Sequence, residues 1–114
     1  MVCYTWLFEQ DNKSTVQMND IYWVYILYCE NDSFYTGYTN NLIKRYREHV
    51  SGSAKCKYTR SFKPRYVAQC WPIFSGKSVA MRLERQIKNL THAQKKCLVK
   101  QPASVTTLID LSFT

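Results

Sequence analysis

The residue pattern predicts an α+β domain with the element order β-β-α-β-α-α. Three observations carry this. A continuous β-branched and aromatic run, Tyr22–Cys29, is followed by a turn cluster and a second short strand, so the domain opens with a hairpin. A third strand-like run, Tyr66–Phe74, stands apart from the first two. Around it lie segments whose apolar residues recur at helical spacing.

The first strand reads as buried on both faces, because it is apolar throughout and does not alternate. Glu30–Ser33 is the turn, and Phe34–Tyr38 returns as the second strand. Asn40 is placed to cap a helix over about 41–50. Its apolar stripe is Leu42, Ile43, Tyr46 and Val50, and Arg45 and His49 lie together on one border of that stripe. Residues 51–65 read as a loop dense in Lys and Arg. In the third strand, Pro72 argues for an edge position or a bulge. A second helix starts near Ser75–Ser78 and runs to about Leu90, on a stripe of Val79, Ala80, Leu83, Ile87 and Leu90, with Glu84 at its rim. A short third helix covers about 92–98. Residues 1–20 read as an N-terminal extension, 21–98 as the domain and 99–114 as a C-terminal tail.

Composition narrows the function. The chain has 114 residues, the length of one domain. No apolar run reaches the roughly 18 residues that span a bilayer. The opening residues lack the basic start and apolar stretch of an export signal, so the expectation is a cytoplasmic protein without a membrane partner. Five cysteines without a C-x-x-C are expected to be thiols, not a zinc site or disulfide framework. Charge is uneven: residues 1–32 hold one lysine against five acids, and residues 33–109 hold fifteen Lys and Arg against two acids. A block this basic, interleaved with Tyr, Trp and Phe, points to nucleic acid. Lys55, Lys57, Arg60, Lys63, Arg65 and Lys88 are the candidate contacts.

Glu84 is the lone acid between Glu48 and Asp110. It could pair with Lys88 one turn on, or hold a hard divalent cation that keeps most of its waters. Arg45 offers a planar donor fork to a phosphate, and His49, one turn later, could position or deprotonate a hydroxyl or water. Tyr25, Tyr35 and Tyr38 could be sheet packing or could place a phenol in a site. A four-residue turn puts Tyr25 opposite Tyr38, and a three-residue turn or a bulge brings it nearer Tyr35. Gly37 within the second strand suggests a close approach or a bulge. The segment "FSGKS" (74–78) mimics the end of a phosphate-binding loop, but Trp71 stands where that loop needs glycine, so NTP hydrolysis has no support.

This ordered set resembles the GIY-YIG endonuclease superfamily, in particular its small stand-alone members. The first triplet falls on Trp23-Val24-Tyr25 and the second on Tyr35-Thr36-Gly37, with Arg45, His49, Tyr58 of "KYTR" and Glu84 following in order. Trp23, Val24 and Thr36 depart from the name-giving letters. The resemblance implies a three-stranded antiparallel sheet flanked by helices with the site on the sheet face. It implies a single Mg²⁺ or Mn²⁺ held by Glu84 and hydrolysis of a DNA phosphodiester, in repair or processing. In that reading Arg45 neutralises phosphoryl charge, Tyr25, assisted by Tyr35 or His49, orients or deprotonates water, and Tyr58 contacts the phosphate. A lone domain that cuts both strands must pair or act twice, so a homodimer or a protein partner is in view. The alternatives are a non-catalytic nucleic-acid-binding module of nuclease ancestry and an adaptor for a repair partner.

Overall fold

The computed structural model describes residues 21–53 and 56–108. The expected extension at 1–20, the candidate contact Lys55 and the last six residues of the tail lie outside the described residues. The elements are β1 (Tyr22–Cys29), β2 (Phe34–Thr39), α1 (Leu42–Ser51), α2 (Lys57–Ser61), β3 (Pro64–Ile73), α3 (Lys77–Lys88) and α4 (His92–Lys100), followed by a 3₁₀ turn at Pro102–Ser104. The three strands form one antiparallel sheet in the order β2-β1-β3. This is the expected α+β architecture.

β1 is central, which explains its unbroken apolar run. Val24 and Ile26 face a core built with Ala68, Trp71 and Ile73 of β3 and Ala80, Leu83 and Ile87 of α3. Trp23, Tyr25, Leu27 and Cys29 face the other way, against Leu42, Ile43 and Tyr46 of α1 and Val67 and Cys70 of β3. Each fully buried large apolar side chain contributes about 1.5–3 kcal/mol, so this one strand anchors both layers. Leu98 of α4 and Val105 close the α3 layer.

The hairpin differs from either expected turn. Tyr28 pairs with Phe34 and Tyr25 with Gly37, so five residues, 29–33, make the connection. Within it, the Asp32 N–H donates to the Cys29 carbonyl at 3.0 Å, and Asp32 takes a left-handed φ of 62°. Tyr25 therefore stands opposite Gly37, not Tyr38 or Tyr35.

Pro72 lies in an edge strand, where its missing donor is tolerated. The β1–β3 register slips at two points, between Ile26 and Leu27 and between Tyr28 and Cys29. β3 begins at Pro64, earlier than the apolar pattern suggests. The α1 cap is Asn41 rather than Asn40, its side-chain oxygen accepting from the Lys44 N–H at 3.1 Å. Part of the expected 51–65 loop is the short helix α2. Cys29, Cys56 and Cys97 are free thiols. Cys70 is disulfide-bonded, against the expectation. Among the described residues no helix is long and apolar enough to cross a membrane.

The inner face of α1 corrects the sequence reading most. Val50, expected in the stripe, is 43% exposed, whereas His49 is fully buried. An imidazole tolerates such a position only if its ring nitrogens find partners, and both do.

Candidate active site

β2 is an edge strand, with α1 against one face of the sheet and α3 against the other. Along that edge lies an open cleft of about 400 Å³. Tyr25, Tyr35 and Gly37 line it from the sheet, Arg45 from α1, and Lys77 and Glu84 from α3. Tyr25 and Glu84, far apart in the chain, thus share one concave surface.

Gly37 makes this geometry reachable. A Cβ at position 37 would lie 2.5 Å from the Tyr25 hydroxyl oxygen and 2.6 Å from its ring carbon Cζ. The end of the phenol, hydroxyl included, lies in the space that a side chain at position 37 would occupy.

Behind the phenol sits His49. Its Nε2 is 2.9 Å from the Tyr25 hydroxyl, and its Nδ1 is 2.7 Å from Thr59 Oγ1. Thr59 is itself fully buried and donates to the Cys56 carbonyl at 3.3 Å. The Tyr35 ring meets the imidazole edge-on, with centroids 5.0 Å apart. Of the two assistants considered for Tyr25, His49 makes the hydrogen bond and Tyr35 buttresses the ring. His49 does not itself line the cleft; Tyr25 and Tyr35, which do, both touch its ring.

The electrostatics follow from burial. Burial first, and then the nearby Arg45 charge, push the His49 pKa down to about 4, against an opposing pull from Glu48. The imidazole is therefore neutral near pH 7. Burial raises the Tyr25 phenol above its ordinary value, and a hydrogen bond with Arg45 only partly offsets this. The lowering by Arg45 loses to desolvation, so Tyr25 is a protonated phenol at rest. Burial alone would weaken the Arg45 cation, but its bonds to Tyr25 and Glu48 prevail and raise its pKa. The Arg45–Glu48 contact is 3.1 Å.

Glu84 is 15% exposed at its side chain and pairs with Lys88 at 3.1 Å. The i,i+4 ion pair and the place in the cleft, posed as alternatives by the sequence, coexist. Tyr58 stacks on Tyr35 with centroids 5.7 Å apart and an interplanar angle of 22°. Its hydroxyl turns from the cleft to Ser33 Oγ at 2.7 Å. Lys57, Arg60, Lys63 and Arg65 are exposed on and after α2, beside the exposed rings of Tyr58 and Phe62.

Two site residues escaped the sequence reading. Lys77 was set aside with the false phosphate loop, yet it lies two helical turns before Glu84 on the same helix face, a spacing that could have found it. Thr59 carries no signal in spacing, because its contact with His49 depends on how α2 folds back on α1.

For a metal, the donor set is informative. Among the described residues no cluster of three or more His, Cys, Asp or Glu could hold an ion. One carboxylate in a cleft shared with an arginine and a lysine fits a hydrated hard cation that completes its shell from a substrate phosphate. It does not fit a permanently caged ion.

An edge cleft that combines a carboxylate, two cationic side chains and a phenol backed by a neutral imidazole belongs to a small α+β domain equipped for phosphate-ester chemistry. The GIY-YIG catalytic domain profile matches residues 21–97. A UPF0213 protein of Haloquadratum walsbyi is 36% identical over 88 residues, which cover 77% of this chain and 97% of that relative. A UPF0213 protein of Cupriavidus necator is 42% identical over 81 residues, covering 70% of this chain and 85% of that relative. The solution NMR structure of a UPF0213 protein from Bacillus halodurans is 38% identical and covers 76% of this chain and 94% of that one, with a TM-score of 0.47. The chain belongs to the GIY-YIG nuclease family.

Proposed function

We propose that this protein is a metal-dependent endonuclease that hydrolyses a phosphodiester bond of DNA, with a place in DNA repair or processing. The observation that carries the reading is the convergence of Tyr25, Arg45 and Glu84 on one cleft. Arg45 binds the scissile phosphate and neutralises charge that grows on its oxygens. Tyr25 orients the attacking water and takes its proton while surrendering its own to His49. A protonated phenol can take a proton only by passing on its own, and His49 Nε2 is the group in hydrogen-bond reach to receive it. Lys77 adds a second cation at the cleft rim. A Mg²⁺ or Mn²⁺ ion held by Glu84 would supply Lewis-acid polarisation of the phosphate and stabilisation of the leaving oxygen. The exposed Lys57, Arg60, Lys63 and Arg65 track the backbone beyond the cleft, with Tyr58 and Phe62 available to stack on unpaired bases. Were Glu84 to hold that ion, Lys88, now 3.1 Å from the carboxylate, would be available to a substrate phosphate.

The test is cleavage of labelled single-stranded, duplex and branched DNA, and of matched RNA, with Mg²⁺, with Mn²⁺ and with chelator. Cutting of DNA that requires the ion supports the reading. Salt-sensitive binding without cutting under any condition moves the assignment to a binding module, and preference for RNA overturns the substrate. Activity that rises with the square of protein concentration would show that two copies act together.

A further inference from the structure

We infer that Thr59 is a positioning residue that sets the tautomer of His49, holding the proton on Nδ1 so that the Nε2 lone pair receives the proton of Tyr25. The direction of proton transfer, which the proposed function needs, rests on this buried hydroxyl.

Donors and acceptors around His49 meet in a closed space. His49 and Thr59 are both fully buried, so neither has water to complete its bonding. Thr59 has one hydrogen, and in the arrangement we assign it is directed to the Cys56 carbonyl, 3.3 Å away, which also accepts from the Arg60 N–H at 2.9 Å. Its oxygen then has lone pairs left for His49 Nδ1, at 2.7 Å, and Nδ1 must be the protonated nitrogen. In a neutral ring Nε2 is then the acceptor, and the group 2.9 Å from it is the Tyr25 hydroxyl. The Tyr25 oxygen is also bound by Arg45, a donor without any acceptor, so its own hydrogen is free for Nε2. The reverse assignment puts Nε2–H and the guanidinium on one phenol oxygen and leaves the phenol hydrogen with no partner among these groups.

The transfer balances. A water O–H bond breaks and its proton goes to the Tyr25 oxygen. The Tyr25 O–H bond breaks and its proton goes to His49 Nε2, which becomes an imidazolium with Thr59 still accepting from Nδ1. The hydroxide left behind forms the new P–O bond as the bond to the leaving oxygen breaks; the departing alkoxide takes a proton from solvent, and the imidazolium returns its proton through Tyr25 to solvent. The opposite tautomer has no lone pair facing Tyr25 and blocks the second step.

This inference rests on the nuclease reading for its consequence, but its geometry can be checked without turnover. Nitrogen-15 NMR of the full chain with labelled histidine separates the two ring nitrogens. The expected spectrum at neutral pH has His49 Nδ1 pyrrole-like and Nε2 pyridine-like, and the reverse pattern overturns the inference even if the protein cuts nucleic acid. Thr59→Val removes the hydroxyl at nearly constant volume. It is expected to mix the tautomers and, where cleavage is measurable, to lower kcat by about ten- to a hundredfold with KM little changed. Thr59→Ser is expected to restore both the spectrum and kcat. A Thr59→Val protein that keeps the single tautomer and full kcat refutes the role. If that variant does not fold, the wild-type spectrum and the Thr59→Ser protein decide, since loss of the tautomer in Thr59→Ser would also refute it. A correct spectrum in a protein that never cuts retains the tautomer assignment and rejects the nuclease reading instead.

Discussion

Tyr25 lies across Gly37, with its hydroxyl oxygen 2.5 Å from where a Cβ would stand. This is backbone-to-ring contact with no room to yield, since the ring is held from behind by His49 at 2.9 Å. Gly37→Ala is therefore expected to displace the phenol and uncouple it from the imidazole. Overpacking of this kind costs about 1–3 kcal/mol. Thermal unfolding checks the stability loss, and cleavage should fall well beyond what the unfolded fraction explains.

His49 gives the fold a dependence on acid. Its folded pKa, about 4, lies below the ordinary 6.5 of an exposed imidazole. Between those values the unfolded chain binds more protons, so stability rises with pH. Its contribution is complete above about 6.5 and is lost as pH falls toward 4. Melting temperatures of wild type and His49→Gln across that window are the check. The variant should be less stable near neutrality and flatter with pH, and parallel curves would contradict the buried neutral imidazole.

The basic segment should act through charge, not sequence. Replacing Lys57, Arg60 and Lys63 with Gln is expected to weaken binding to all nucleic acids alike. Each lost phosphate contact should lower the slope of log K against log salt by about 1. Titrations at several salt concentrations measure this. An unchanged slope would place the interface elsewhere.

How far the sequence carried varies with the range of the interaction. Apart from α2, the element order was legible because periodicity is local, and β1 could be placed at the centre of two layers from its unbroken apolar run. Arg45, Glu84 and the tyrosines were legible as candidates because their spacing matched a known pattern. The hairpin register was not, since a left-handed Asp32 lets a five-residue connection form where "ENDS" suggests four. Nor was the burial of His49 in place of Val50. A helical wheel ranks valine inward, and what reverses it is a pair of hydrogen bonds to Tyr25 and Thr59, which are remote in the chain. The α2 helix was hidden by its basic composition, which reads as loop.

Tyr25→Phe separates the phenol's chemistry from its packing. The ring, its place over Gly37 and the buried wall remain, while the hydroxyl that joins the water to His49 is gone. Binding should persist, and kcat should fall by about a hundredfold or more, the scale of general acid–base catalysis. Single-turnover cleavage beside equilibrium binding shows whether the two separate.

The most direct test of the account is Glu84→Gln, compared with wild type for cleavage of labelled DNA with Mg²⁺ and for binding in chelator. The substitution keeps the shape and removes the charge that would hold the ion. The account expects cleavage to disappear and binding in chelator to be retained. Cleavage that survives in Glu84→Gln with its metal requirement unchanged would contradict the assignment of Glu84, and with it the proposed chemistry of the cleft.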